Sequence, residues 1–409
     1  MTMSVRSPAV LLAVLLAGST LGVMGGAILV SVLEVIRSEF AVSGTAAGFI
    51  LTAHGLAIAL SAPLAGRLVD RWGIRWPMIG GLVVYALAGG AGLVMTSYPA
   101  LIASRLVFGV GAAAVFTCTT VALLAFYQEA ERDRVMGWRS TATSVGGLVW
   151  PLLGGILGGL TWHATFGIYL VGIPLALAAM WSLPNTTPPD RHRQIGAVQL
   201  VRQRPALLGW YAMWIVIAVQ MYVLAIFLPQ HLARLGVHSP VLVSIYAVVG
   251  PSITTSLIGL FYGRLRARFS YATLLRAAFA TTLAGFLLYA TITQPVLLLL
   301  APALFGVGNG ILFPIATIMV DQAAGAEHRG RAAALSGTAI FAGQFISPLL
   351  FGPLIAATST TTGFLIAAAI SAALLTAIVV SGIGKPLLDK EEDRVRVLNS
   401  ASGTDQHQD

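Results

Sequence analysis

The sequence contains very little charge. Only 10% of its 409 residues are Asp, Glu, Lys or Arg, whereas a soluble domain carries roughly 25%. Hydrophobic residues make up 57% of the chain. Because so few charges cannot cover the water-facing surface of a soluble protein, the composition predicts a surface that is covered largely by lipid.

Cysteine is almost absent, since Cys118 is the single cysteine. One thiol excludes an internal disulfide and any metal site built from cysteines. The sequence also lacks a phosphate-binding loop, a zinc-type histidine pair and a nucleophile motif. We therefore expect no enzymatic activity, no cofactor and no bound metal, and we expect an ion or substrate gradient as the energy source.

Long apolar runs recur along the chain, at about the 20 residues that a helix needs to cross a bilayer. They predict an all-α integral membrane protein with twelve transmembrane helices. The predicted segments are 8–33, 45–66, 77–96, 100–126, 140–160, 164–183, 206–229, 241–263, 272–293, 295–320, 332–357 and 362–383.

The positions of the basic residues predict the orientation. A net charge of +9 could indicate a nucleic-acid partner, but the basic residues lie in short breaks between apolar runs. With both termini in the cytoplasm, only Arg37, Arg105 and Arg234 of the 24 Lys and Arg residues fall outside cytoplasmic segments. This asymmetry is typical of a multi-pass protein of the cell (inner or plasma) membrane. We predict cytoplasmic termini, the lipid bilayer as a partner, and no nucleic acid.

The two halves of the chain repeat one another at an offset of 197 residues. The sequence Phe-Gly-Val-Gly at 108–111 recurs at 305–308, and Pro-Leu-Leu at 151–153 recurs at 348–350. A repeat at one fixed offset predicts two pseudo-symmetric six-helix bundles with a site between them. The predicted divisions are an N-terminal bundle at 1–183, a cytoplasmic linker at 184–205, a C-terminal bundle at 206–383, and a disordered cytoplasmic tail at 384–409.

A first motif lies between the second and third segments. Its signature positions are Gly66, Asp70, Arg71, Gly73 and Arg75. It matches Gly-x-x-x-Asp-Arg-x-Gly-x-Arg of the major facilitator superfamily, which the sequence resembles over nearly its whole length. The resemblance implies a cytoplasmic gate that latches the two halves, with Asp70 as its carboxylate near Arg331. A solvated loop is the alternative, and the second-half copy has Ala267 in place of the acid.

A second motif centres on Arg105 in the fourth segment, followed by Gly109 and Gly111. An arginine at the centre of a membrane helix costs roughly 2.5–3.5 kcal/mol to insert, so it should face a partner or a wet cavity. In proton-coupled relatives, this arginine is linked to proton transfer. The alternatives are an arginine that reaches the outer surface and one that belongs to a packing ion pair.

A third motif lies in the fifth segment, at Gly146, Trp150, Pro151, Gly154 and Gly155. It resembles the antiporter signature Gly-x-x-x-Gly-Pro-x-x-Gly-Gly, with tryptophan in place of the glycine before proline. Glycines permit close helix packing and proline bends the helix. The resemblance implies a gate formed by the fifth helix against the eighth. Trp150 could stack on substrate, or it could pack against a helix or lipid.

Ionisable residues inside a membrane are functional candidates, and besides Arg105 the chain offers Glu34 and His54. Either could carry a coupling proton. The alternatives are a surface pair of Glu34 with Arg37 and a neutral His54 that is hydrogen-bonded between helices. Several drug-exporting relatives carry an acid deeper in the first helix, where this chain has Gly25–Gly26.

Uncharged polar residues within the second half could line a substrate cavity. The candidates are Gln220, Tyr222, Asn309 and Gln344. Each could equally form a hydrogen bond between helices.

The motifs and the repeat together predict a secondary active transporter, resembling the twelve-helix drug:proton antiporter group. It would export a small organic or amphipathic compound in exchange for protons, by alternating access and as a monomer. Uptake of a small organic anion or metabolite, by symport or facilitated diffusion, is the alternative. A receptor or enzyme without transport is disfavoured by the repeated halves and by the absence of catalytic groups.

Overall fold

The computed structural model describes residues 8–127, 129–185, 197–325 and 328–381. Within this part of the chain, twelve helices are long and apolar enough to cross a membrane, as predicted. They are α1 (Ala9–Glu39), α2 (Gly44–Trp72), α3 (Arg75–Leu93), α4 (Tyr98–Phe126), α5 (Arg134–Gly158), α6 (Trp162–Ser182), α7 (Ala206–Arg234), α8 (Pro240–Arg268), α9 (Tyr271–Thr291), α10 (Pro295–Ala324), α11 (Arg331–Ala357) and α12 (Thr360–Val380).

Short connections with capping residues join successive helices. The hydroxyl of Ser43 accepts a hydrogen bond from the backbone N–H of Ala46 at 3.2 Å and begins α2. At the other end of α2, Gly73 has a φ of 73°, a left-handed conformation that favours glycine. Such tight turns make neighbouring helices antiparallel.

Several helices continue past the apolar runs that predict them. The second run was predicted to end at residue 66, but α2 continues to Trp72, so only Gly73 and Ile74 separate it from α3. The first motif therefore lies mostly on a helix rather than in a loop. The reason is that hydropathy marks the part of a helix inside the apolar layer, whereas the backbone hydrogen bonds of a helix continue into water.

The helices form two bundles, α1–α6 and α7–α12, with matching internal packing. In the first bundle α4 packs against α2 and α3, and in the second α10 packs against α8 and α9. The same glycines permit this: Gly109 lies against His54 of α2, and Gly306 lies against Pro251 of α8, with no room for a Cβ. Both residues of the second pair follow those of the first by 197, so the sequence repeat corresponds to one repeated packing arrangement.

The even number of helices places the start of α1 and the end of α12 on one side of the molecule. We call this the terminal side and the opposite one the distal side. A short linker helix (Ala197–Gln203) precedes α7, and its Leu200 is buried against the second bundle. The predicted tail at 384–409 and residues 186–196 of the predicted linker lie outside the described residues, and the proposed divisions of the chain stay predictions.

Candidate functional site

A cavity of about 430 Å³ lies between the two bundles. The first bundle contributes residues of α1, α2 and α5, and the second contributes residues of α7, α8, α10 and α11. Its wall combines aromatic rings with hydroxyl groups. The rings belong to Tyr222, Phe305, Phe313 and Phe341, and the hydroxyls include those of Thr143, Ser144, Ser252 and Ser256. Among its lining residues in the described chain there is no Asp, Glu, Lys or Arg, and His54 is the one histidine.

Helices α5 and α8 close the cavity on the distal side. The Ser244 hydroxyl of α8 donates a hydrogen bond of 2.7 Å to the carbonyl oxygen of Pro151 in α5. A Cβ built on Gly155 would lie 2.8 Å from Ser244 Oγ and 3.0 Å from the carbonyl oxygen of Pro240. The two backbones can approach this closely only because residue 155 has no side chain.

Helices α2 and α11 form the second half of the distal closure. A Cβ on Gly48 would lie 2.5 Å from Cβ of Pro348, and Gly352 is pressed against Thr45 in the same way. The rings of Phe49 and Phe345 stack between the same helices, with centroids 5.5 Å apart. The distal end of the cavity is therefore sealed by two helix pairs, each with one helix from each bundle.

The same two helix pairs lack this close glycine packing on the terminal side. Apart from each helix's own nearby backbone, no described atom lies within 4 Å of the position where a Cβ would stand on Gly66 of α2 or Gly337 of α11, nor on Gly137 of α5 or Gly263 of α8. Asp70 is exposed, and no described residue forms an ion pair with it. The cavity therefore widens toward the terminal side, and the predicted latch is not formed in this conformation.

Helix α8 is irregular where it borders the cavity. It contains a π-helical stretch at Ile245–Val249, which ends with the backbone N–H of Gly250 bonded to the carbonyl oxygen of Ile245. Pro251 follows, and proline has no N–H to continue the regular pattern. Such π-helical turns are frequent at functional sites, and this one begins directly after Ser244.

His54 lines the cavity, with 4% of its surface exposed. Its ring edge rests on the glycine pair of α1: a Cβ on Gly25 would lie 2.9 Å from Nε2 of His54, and one on Gly26 would lie 3.2 Å from Cε1. The glycine pair thus provides the space that the imidazole occupies. On its other side, the ring contacts Phe108 of α4, with centroids 5.6 Å apart.

Arg105 is fully buried behind His54 and does not line the cavity. Its guanidinium carbon lies 4.4, 5.4 and 4.6 Å from the ring centroids of Phe108, Phe166 and Tyr169. The guanidinium donates hydrogen bonds to the Tyr169 hydroxyl at 2.9 Å and to the Gly89 carbonyl at 3.3 Å. No carboxylate of the described residues pairs with it. Aromatic faces and neutral oxygens therefore stabilise this cation.

Tyr169 connects this buried arginine to α1. Its hydroxyl accepts the hydrogen bond from Arg105 and donates one of 2.7 Å to the carbonyl oxygen of Gly25. Gly25 is also the residue against which His54 lies. Two of the predicted charge candidates therefore border one short segment of α1: His54 directly, and Arg105 through Tyr169.

The third candidate, Glu34, lies apart from both. It accepts two hydrogen bonds from Arg37 at the distal end of α1, of 2.6 and 2.8 Å, and it is not among the cavity-lining residues. The surface pair weighed as the alternative in the sequence is therefore present. Glu39, near the same end, accepts a hydrogen bond from the indole N–H of Trp162.

The residues of the third motif separate into two groups. Gly146 and Gly154 pack against α1 of their own bundle, where Cβ atoms would meet Thr20 and Ile28. The Trp150 ring lies back over Gly146, with Cδ1 3.3 Å from that Cβ position, and it does not line the cavity. Only Pro151 and Gly155 lie at the contact with α8.

Three of the four polar candidates line the cavity, namely Tyr222, Asn309 and Gln344. Gln220 instead points into the second bundle, where its amide donates to the Ser371 hydroxyl at 2.8 Å and to the Ala367 carbonyl at 3.3 Å. Two contributors were missed in the sequence, Ser244 at the distal closure and Tyr169 beside Arg105. Neither lies in a motif, and their partners are distant in the chain.

We expect Gln220→Leu to reduce stability without changing ligand affinity. Loss of the bonds to α12 should cost about 0.6–1.7 kcal/mol of unfolding free energy. The dissociation constant for a ligand found by thermal-shift screening should stay within about twofold. Gln344→Leu is the matched comparison, since that glutamine lines the cavity. A large loss of affinity in Gln220→Leu, with stability unchanged, would contradict this assignment.

Two known proteins with similar sequences are named for multidrug resistance or multidrug efflux. Multidrug resistance protein 1 of Bacillus subtilis (strain 168) is 22% identical over 353 residues, which cover 84% of this chain and 89% of that protein. Multidrug efflux pump SdrM of Staphylococcus aureus (strain N315) is 27% identical over 139 residues, which cover 34% of this chain and 30% of that protein.

Solved structures share the fold. The crystal structure of a bacterial homologue of the human lysosomal transporter Spinster, in an inward-facing and occupied conformation, aligns with a TM-score of 0.71 at 15% identity. The alignment covers 93% of this chain and 95% of that one. A family model described as Major Facilitator Superfamily matches residues 15–253 and 215–399. With twelve apolar helices of spanning length among its described residues, two repeated bundles and a shared cavity, the chain is a multi-pass membrane transporter, and it belongs to the Major Facilitator Superfamily.

Proposed function

We propose that this transporter exports small, neutral amphipathic organic compounds in exchange for protons. The observation that supports this proposal most directly is the cavity between the bundles, which is sealed on the distal side and widens toward the terminal side. Its wall offers aromatic rings, hydroxyls and one histidine. Similarity to proteins named for multidrug resistance and multidrug efflux supports the direction of transport.

The chemistry of the wall favours neutral substrates over organic anions. A bound carboxylate or phosphate is normally held by Arg or Lys side chains, and neither lines the cavity in the described chain. Aromatic rings and hydroxyls suit a compound with an apolar body and hydrogen-bonding groups. A volume of about 430 Å³ falls within the range of small-molecule sites. Uptake of an organic anion is therefore the less favoured function.

His54 is the candidate for the coupling proton. It is the one histidine among the described lining residues, and imidazole is the side chain whose unperturbed pKa lies closest to neutral pH. The acid that several drug-exporting relatives carry in the first helix has no counterpart in this chain. Gly25 and Gly26 lie at that depth, and the His54 imidazole occupies the space beside them. Arg105, which contacts the same Phe108 ring as His54, would act as a fixed positive charge near the proton site.

Transport would proceed by alternating access, with the terminal side facing the cytoplasm of the cell. The structure would then represent the inward-open conformation. In the outward-open conformation the contacts at Gly155 and Gly48 would separate, and the first motif would close on α11, with Asp70 as the latch carboxylate. Because one chain encloses the cavity, a monomer would suffice.

Proteoliposomes test the coupling. Neutral amphipathic antibiotics, chloramphenicol among them, would first be screened by thermal stabilisation. We expect a lumen that is more acidic by one pH unit to raise the steady-state accumulation of radiolabelled chloramphenicol by about tenfold, since such a gradient supplies 1.36 kcal/mol per exchanged proton. His54→Gln should remove the effect of the gradient and keep downhill exchange, because the cavity remains.

Two outcomes would contradict the proposal. If imposed pH gradients never alter the flux of any screened compound, proton antiport is rejected. If small organic anions such as gluconate bind and cross while every neutral compound fails, the anion-uptake function replaces export. Thr376→Ala is a suitable control, because this exposed hydroxyl bonds the Ala372 carbonyl of its own helix and lies outside the cavity.

A further inference from the structure

A tyrosine of the second bundle and His54 both approach Gly26 of α1. The position of a Cβ on Gly26 lies 3.2 Å from Cε1 of His54, 3.1 Å from the Leu51 carbonyl oxygen and 3.4 Å from the Tyr222 hydroxyl. Gly26 and His54 belong to the first bundle, whereas Tyr222 belongs to α7 of the second. The proton candidate and a hydroxyl of the opposite bundle thus border the same small space beside Gly26.

The groups around His54 determine what an added proton would meet. Arg105 of α4 lies behind the Phe108 ring, Tyr169 of α6 bonds to Gly25, and Tyr222 approaches from α7. Among the described residues no carboxylate faces the ring. A protonated imidazole would therefore be a second cation near Arg105, and it would persist only where a neutral oxygen accepts its N–H.

Tyr222 provides such an oxygen from the opposite bundle. A phenolic oxygen can accept one hydrogen bond while it donates another. Among the described residues no protein group is hydrogen-bonded to this hydroxyl. Tyr222 lines the cavity wall and packs against the hydrophobic core. The hydroxyl is therefore free to respond to a change at His54.

We propose that Tyr222 is the positioning residue for the coupling proton. When His54 takes up a proton, its N–H is held by the Tyr222 oxygen, and this bond fastens α7 to α1 and α2 in the terminal-open conformation. When the proton leaves, the bond is lost and the two bundles separate more easily at this point. The inference rests on the proposed proton antiport, because it assigns the residue through which proton binding acts on the conformation.

A reporter cysteine tests this without knowledge of the substrate. Cys118 is the single cysteine and is buried, so a thiol-reactive dye can label Ser144→Cys on the cavity wall selectively. The labelling rate, corrected for the pH dependence of a free thiol, reports how often the terminal side is open. We expect it to fall in one step as the pH rises.

Three variants in this reporter background separate the possibilities. His54→Gln should make labelling independent of pH. Tyr222→Phe keeps the ring but removes the acceptor, and it should move the midpoint to lower pH by about one unit, the effect of one hydrogen bond. Tyr211→Phe is the matched control on the same helix. Its hydroxyl bonds to the Ala332 carbonyl at 3.2 Å within the second bundle, so the midpoint should not move.

The outcomes distinguish this inference from the proposed function. If His54→Gln is flat but Tyr222→Phe has the wild-type midpoint, the role of Tyr222 is overturned and proton antiport stands. If the unsubstituted reporter is independent of pH while proteoliposome flux still follows the gradient, the inference is again overturned. If the flux itself ignores the gradient, the proposed antiport fails, whatever the labelling shows.

Discussion

Substitution of Gly155 by leucine is expected to reduce transport by about tenfold or more while the protein remains folded. The distal closure leaves no room at this position, since a Cβ would lie 2.8 Å from Ser244 Oγ and 3.1 Å from Cα of Val241. A side chain forced into a packed contact typically costs about 1–3 kcal/mol. Here the bundles can relieve that cost by separating, so the population should shift toward a distal-open conformation.

The reporter at Ser144→Cys measures this shift directly. Gly155→Leu should slow labelling from the terminal side, because a molecule that opens distally closes there. Gly159→Leu is the matched control, one residue past the end of the same helix: a Cβ at that position would meet only carbonyl oxygens of Ile156 and Gly155. If the two variants transport and label alike, the contact between α5 and α8 is not a gate.

The second large effect is expected at Arg105. Arg105→Ala should lower the unfolding free energy in detergent by about 2–4 kcal/mol, since desolvated cation–π contacts and hydrogen bonds to a charged group are each worth about 2. The three ring faces lose their cation, and the Tyr169 hydroxyl loses its donor. Arg105→Lys should recover only part of the loss, because an ammonium cannot reach Tyr169 and Gly89 as a planar fork does.

Denaturation in detergent, followed by circular dichroism, measures this cost. Arg266→Ala is the comparison, since Arg266 lies 4.0 Å over the Tyr271 ring but is partly exposed to solvent. That variant should lose only about 0.5–1 kcal/mol. If Arg105→Ala is as stable as Arg266→Ala but fails to transport, the arginine acts in coupling rather than in packing.

The fold could be predicted because its determinants are local or periodic. Apolar runs of the right length, basic residues on one side and the 197-residue offset are all visible in one dimension, and the structure has the twelve helices they predict. The offset even anticipates detail, because Gly109 and Gly306 pack at corresponding positions in the two bundles. Helix ends were less predictable, since hydropathy does not mark where a helix such as α2 ends in water.

The site was less predictable because it depends on the rotation of each helix about its axis. Gln220 and Tyr222 lie two residues apart on α7, and about 100° per residue places them on nearly opposite faces. Only one of them can line the cavity, and the sequence does not say which. Likewise, the Ser244 contact joins residues 93 positions apart, and the pairing of Tyr169 with Gly25 joins residues 144 apart. No local pattern encodes such pairings.

The glycine pair beneath His54 has a consequence for how sequences of this kind can diverge. A side chain at residue 25 and an imidazole at residue 54 compete for one volume, since Nε2 lies 2.9 Å from the absent Cβ. A lineage that gained an acid at residue 25 would have to give up or move the histidine, and one that lost the histidine would be left with a void over two bare glycines. The three positions should therefore covary as a unit.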